Sequence, residues 1–225
     1  MFINKVGFSH WEIGRNNHDY GVDTPLLKCV VDGCSEGEHS EVGGKLYTHL
    51  MKSLYSKILT LETQFFNSVI FERFKKLIDM GVYDNKEYAK TILNYFLFTI
   101  LLLKEQNDSW EVETCGDGII IKQTWDDKFE YEIIEQNGKP KYYAYNFVPK
   151  EFLTDYQDGV GFETFVFSKK DYKAIGLASD GLSYILNSEF KEEFEEYLRD
   201  RKEVKIKRLI NREHRYFKDD ITIII

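Results

Sequence analysis

Four times in this chain a carboxylate stands at the edge of an apolar, strand-like run. Leu26 to Val31 ends at Asp32-Gly33, and Gly116-Asp117-Gly118 separates Val112–Cys115 from Ile119–Ile121. Ile175 to Ala178 runs into Ser179-Asp180-Gly181-Leu182, and Lys218-Asp219-Asp220 precedes Ile221. Asn17-His18-Asp19 adds a fifth acidic corner near the N-terminus. A carboxylate at the end of a buried strand is a rigidly held oxygen ligand, and a neighbouring glycine, with no Cβ, lets the backbone turn and approach a ligand closely. This is the donor chemistry of a hard cation such as Mg²⁺ or Mn²⁺. Taken singly, each Asp-Gly reads first as an ordinary turn. Five such corners in 225 residues read together as parts of one site.

Strands and helices must bring these corners together. Ile3 to Ser9 is predicted as a first strand, and Trp11 to Asp23 as a polar, turn-rich connection to the strand ending at Asp32. Helical spacing places one helix over Glu41–Leu59 (Val42, Leu46, Leu50, Leu54, Ile58) and another over Glu62–Met80, with Gly81 as its cap. A third, strongly apolar helix is predicted from Asn85 or Lys86 to Lys104. Four successive strands follow over Trp110–Cys115, Gly118–Thr124, Phe129–Glu135 and Lys141–Phe147, the last two joined by a hairpin at Asn137-Gly138. Phe162–Phe167 and Tyr172–Ser179 read as further strands, Glu189–Arg212 as helix in two pieces, and Asp220–Ile225 as a buried closing strand. Strands and helices in this order do not alternate as βαβ units. They predict an α+β layered architecture of antiparallel sheets covered by helices.

The length suits one domain spanning residues 1–225. A formal charge of −8 argues against a nucleic-acid or anionic-membrane partner, and acidic residues interleave with the basic ones of Arg199 to Arg215. Three cysteines without CxxC spacing fit a reducing, cytoplasmic setting and give no zinc signal. The first residues lack the layout of a signal peptide. The apolar segment Ile92–Leu103 is shorter than the ~20 residues of a membrane span and is expected to be a buried core helix.

The ordered series Asn-x-Asp, Val-Val-Asp-Gly, Gly-Asp-x, Ala-Ser-Asp-Gly-Leu and Asp-Asp-Ile-Thr resembles the PPM-type (type 2C) metal-dependent protein phosphatases, from about Val6 to Ile225. The resemblance implies a four-layer α-β-β-α sandwich with two antiparallel sheets and a two-metal centre at one end. It implies that Asp32 bridges two Mg²⁺ or Mn²⁺ ions and that the Gly33 carbonyl binds one of them. Asp180 and Asp219 would complete the second ion's shell, Asp19 would hold coordinated waters, and Asp117 would serve a weaker third ion. The implied reaction is direct attack of a bridging water on phosphoserine or phosphothreonine in a phosphoprotein, in opposition to a cognate Ser/Thr kinase.

The chain departs from that pattern in places. His18 stands where the family usually has Glu or Gln, and it reads either as a substitute acting through water or as a polar turn residue. Arg15, the candidate phosphate-binding arginine, lies one residue closer to the acidic pair than usual; His10 is a second candidate contact, although an isolated histidine reads first as a structural one. Cys34 replaces a histidine that some members carry as a proton donor, and it is assigned no role. Val148 to Gly161, with Asp155 and Asp158, occupies the place of the family's flap. Two alternatives remain open: a degenerate member that binds phosphoproteins without hydrolysis, and a phosphatase for a small phosphate ester.

Overall fold

A computed structural model describes residues 1–58, 62–79, 84–136 and 140–225. Two five-stranded antiparallel sheets pack face to face with helices on both outer surfaces. One sheet runs in the order β1 (Phe2–Lys5), β10 (Ile221–Ile224), β9 (Tyr172–Ala178), β6 (Gly118–Thr124) and β7 (Phe129–Ile134). The other runs β2 (Tyr20–Asp23), β3 (Leu27–Gly33), β4 (Phe98–Glu105), β5 (Ser109–Cys115) and β8 (Glu163–Ser168). The expected α+β sandwich is the fold observed.

The central strands carry unbroken apolar runs because both of their faces are covered. Val30, Leu101 and Val112 of one sheet meet Ile120, Leu177 and Ile224 of the other in the inner layer. Side chains one residue away point outward, since strand side chains alternate between faces. Cys29, Val31, Ile100 and Leu102 thus pack with Tyr47, Met51, Phe71 and Phe74. Those partners come from α2 (Ser40–Ile58) and α3 (Thr63–Asp79), and α4 (Asn85–Tyr95) joins the same layer. On the opposite surface Ile119, Ile121 and Ile223 pack with Phe194 and Leu198 of α6 (Lys191–Arg199) and with Ile206 and Leu209 of α7 (Glu203–Arg212). Two short helices, α1 (Phe8–Glu12) and α5 (Ser183–Leu186), complete the set among the described residues. None of the described helices is long and apolar enough to cross a membrane.

Several expectations are corrected. The predicted third helix stops at Tyr95, and Phe98–Glu105 is instead the central strand β4, paired with β3 and β5. A continuous apolar run fits a doubly covered strand as well as a buried helix, and here the two flanking strands decide. The first strand ends at Lys5 because its partner β10 begins at Ile221, opposite Lys5; the chain then turns into α1. Tyr20–Asp23, expected as part of a turn-rich connection, pairs with β3 as an edge strand. Tyr143–Phe147 forms a 3-10 turn rather than a strand, with Tyr143 and Phe147 each 5.3 Å from Phe71 between ring centroids. The predicted hairpin at Asn137-Gly138 and the cap at Gly81 lie outside the described residues.

Candidate active site

The acidic corners meet at one end of the sandwich. Asp32 is the penultimate residue of β3 and lies opposite Thr99 of β4. The loop after it is stitched to the end of α4 and the connection to β4, His39 N–H donating to Asn94 O at 2.9 Å and Cys34 N–H to Leu97 O at 2.9 Å. Asp117 occupies the turn that carries the chain from β5 in one sheet to β6 in the other. That crossing requires glycine on both sides. Gly116 has a φ of +103° and Gly118 of +149°, and a Cβ on either would come within 2.6 Å of Thr99 or Leu101 side-chain carbon. Asp180 follows β9, and Asp219 precedes Asp220 and β10.

Asp32, Gly33, Asp117, Asp180 and Asp219 line a cavity of about 340 Å³, with His10 and Cys34 beside them and Tyr142 and Tyr145 also in its wall. Asp19 is not in that lining; it is completely buried. Its Oδ2 accepts from Ser179 Oγ at 2.5 Å, and that hydroxyl accepts from Thr222 N–H at 2.9 Å. Asn17 Oδ1 takes the Asp19 N–H at 2.8 Å, and Asn4 Nδ2 donates to Asp19 O at 2.8 Å. The serine beside Asp180 therefore holds the Asp19 carboxylate in place.

Crowding sets the electrostatics. Burial first, and then the charges of Asp19, Asp180 and Asp219, hold the Asp32 carboxyl well above the usual carboxylate range. Burial likewise raises Asp19 strongly, with Asp220 and Asp219 adding to it while Ser179 opposes. Asp180 is pushed up to about 6 by burial, then by Asp219 and Asp117. Asp117 and Asp219 move the same way, again chiefly through burial. Such a set of anions needs protons or cations.

Whether the residues suit a divalent metal can be judged from their atoms. Asp19 Oδ1 and Asp180 Oδ1 are buried without a hydrogen-bond partner. All the candidate donors are oxygens, the preference of Mg²⁺ and Mn²⁺. Among the described residues, no three His, Cys, Asp or Glu side chains gather tightly enough to hold a cation unaided. A spread of this kind suits ions that keep several waters and take only one or two carboxylates each. The residues fit the group.

Asp220 has a different task from its neighbour. Its carboxylate, 1% exposed, accepts from Gly7 N–H at 2.6 Å and from His18 N–H at 2.6 Å, and it bonds His10 Nδ1 at 2.9 Å. It clasps residues 7–18 against the start of β10. Two glycines make room for this: a Cβ on Gly181 would lie 1.9 Å from Asp220 O, and one on Gly7 would lie 2.2 Å from the Asp219 carbonyl carbon. Sequence reading missed the clasp and Gly7, for which no local signal exists; Gly181 stands within the Ser-Asp-Gly-Leu motif.

Three other sequence candidates are placed as follows. Arg15 is exposed, does not line the cavity, and its backbone N–H donates to His10 O at 2.8 Å. His18 is buried, its ring centroid 4.3 Å from that of His10; burial, then His10, lowers its affinity for a proton, and its Nδ1 has no partner. The segment 148–161 buries Val148, Leu153 and Val160 and exposes Asp155 and Asp158. Burial pushes the Cys115 thiol up to about 12 and Cys29 in the same direction, the opposite of a nucleophilic cysteine.

A family model described as Protein phosphatase 2C matches residues 6–212, well over half of the chain. No curated protein matches. Among solved structures, the chain is similar to the serine/threonine phosphatase Stp1 from Staphylococcus aureus, with a TM-score of 0.60 and 18% identity over 99% of this chain and 92% of that one. It is similar to the Mycobacterium tuberculosis serine/threonine phosphatase PstP/Ppp, with a TM-score of 0.61 and 16% identity over 99% and 95%. A bacterial serine phosphatase gives a TM-score of 0.61 and 17% identity over 99% and 94%. At these identities the structural matches speak to the fold.

Proposed function

The chain belongs to the protein phosphatase 2C family, and from that premise we propose that it is a Mg²⁺- or Mn²⁺-dependent phosphatase of phosphoserine and phosphothreonine in proteins. The observation that supports this most is the meeting of Asp32, Asp117, Asp180 and Asp219, from four separate segments, on one cavity. Asp32 would be shared by two cations, with the Gly33 carbonyl, Asp180 and Asp219 completing their protein ligands, Asp19 ordering waters and Asp117 serving a weaker third ion. When bound, such ions would supply an activated water and charge neutralisation at phosphorus for an in-line displacement.

The chain's own residues account for the rest. Carboxylates alone repel a phosphate dianion, so the cavity accepts substrate only in its cation-loaded form. Asp32 is fixed by a paired strand end and Asp117 by a turn between sheets, so neither needs to reorganise when substrate arrives. Tyr142 and Tyr145 give the cavity an apolar wall against which the substrate side chain rests. The protein partner is a phosphoprotein with its Ser/Thr kinase, and the setting is cytoplasmic.

The exposed position of Arg15 favours a second reading, a member of the family that binds phosphoproteins without hydrolysing them. Turnover of p-nitrophenyl phosphate separates the two. The phosphatase shows hydrolysis that requires added Mn²⁺ or Mg²⁺ and disappears with chelator. Chelator-resistant turnover would remove the two-metal reading, and a complete lack of metal-stimulated turnover would leave the binding protein.

A further inference from the structure

Among the described residues that line the acidic cavity, His10 is the sole basic side chain. Arg15 stays outside on an exposed loop. Phosphoryl oxygens entering this cavity therefore meet carboxylates, tyrosines and one imidazole. That imidazole is fixed in an unusual way. Asp220, itself 1% exposed and anchored by two backbone N–H groups at 2.6 Å, takes the His10 Nδ1 at 2.9 Å. With Nδ1–H committed to the carboxylate, Nε2 is the ring nitrogen left for a ligand. The ring cannot swing away without breaking a buried, charge-assisted hydrogen bond.

We propose that His10 is the side chain that grips the substrate phosphoryl group, with Asp220 as the positioning residue that holds the ring at the cavity wall. The proposal rests on the phosphatase reading above and adds the phosphate contact that Arg15 does not supply. Nε2 can take either half of the bond: neutral, it accepts from a protonated phosphoryl oxygen, and protonated, it donates to an unprotonated one. Asp220 neutralises the ring in the second case.

Three substitutions test this in the full-length protein saturated with Mg²⁺, with inorganic phosphate as the probe and calorimetry as the readout. His10→Asn keeps a donor near the Nδ1 position for Asp220 but has nothing in place of Nε2. It is expected to bind phosphate roughly tenfold or more weakly, the scale of one hydrogen bond to a charged group, with Mg²⁺ affinity and melting temperature unchanged. His10→Gln, which can place an amide nitrogen near Nε2, recovers part of the loss, and Arg15→Ala leaves phosphate affinity unaltered. Wild-type phosphate affinity in His10→Asn would reduce His10 to a strut and overturn the proposal. So would a parallel loss of Mg²⁺ affinity, an effect of Arg15→Ala equal to that of His10→Asn, or a wild-type protein that binds no phosphate. Failure of the phosphatase reading shows separately, as absent metal-stimulated hydrolysis by the wild type, and leaves the phosphate titrations interpretable.

Discussion

Asp32 and Asp180 are buried, crowded carboxylates that are costly to stability, and the proposed chemistry depends on both. Both are raised by burial and by other carboxylates. Asp32→Asn and Asp180→Asn each keep the shape and delete a charge, so hydrolysis should fall by roughly a hundredfold to a thousandfold, the scale of removing one preorganised electrostatic group. The metal-free melting temperature should hold or rise, because a repelling neighbour has gone. Steady-state kinetics beside thermal melts check both; near-normal rates in both variants would end the assignment. These acids were legible in the sequence because a strand that stops at Asp-Gly announces a local corner. His10 and Asp220 were not legible as a pair, since the two are 210 residues apart and nothing in either neighbourhood encodes the other. Ser179 as the support of Asp19 was hidden for the same reason, at a separation of 160.

At the scale of elements, the order of strands and helices was readable wherever the apolar pattern had a period. The spacing of α2 and α3 gave both helices to within a residue or two at each end. It failed for β4, where the uniform run Phe98–Leu103 is buried on both faces and so has no period to read. It failed again at Tyr143–Phe147, where aromatic residues of high strand propensity are diverted into the ring cluster around Phe71. The α2–α4 crossing carries the site's loop and is unusually close, since a Cβ on Gly43 would sit 1.9 Å from Tyr95 O. Gly43→Ala should therefore cost about 1–3 kcal/mol, the usual price of forced overpacking, and should loosen the strap from Cys34 to His39. Urea denaturation measures the first. Weakened Mg²⁺ binding measures the second, and a variant as stable as wild type would refute the tight crossing.

For the whole molecule, the clustered carboxylates make stability depend on pH and on cations together. The folded, metal-free protein holds the Asp180 proton up to about 6, against an ordinary 3.8. Below 3.8 the group is protonated in both folded and unfolded chains, and its contribution to stability is fully present. Through the window from 3.8 to about 6 the unfolded chain releases the proton first, so stability declines as pH rises. Asp19 and Asp32, raised in the same direction, add to the decline. The melting temperature of wild type relative to Asp180→Asn should thus fall between pH 4 and 7 in chelator. Added Mg²⁺ should abolish the difference in slope, because ligand binding to the folded state alone stabilises it. A flat difference in chelator would show that these acids do not titrate as a cluster.

The clasp formed by Asp220 also bears on how the protein is made. Its partners Gly7, His10 and His18 leave the ribosome more than two hundred residues earlier. Long-range pairings of this kind form slowly, because the entropy of closing so large a loop must be met before the bond stabilises anything. A nascent chain can assemble α2, α3 and the strands that flank them while the first eighteen residues still wait for their anchor. In this topology the acidic cavity is therefore closed late: Asp219 can join Asp32, Asp117 and Asp180 only once the segment that carries both it and Asp220 has docked against residues 7–18.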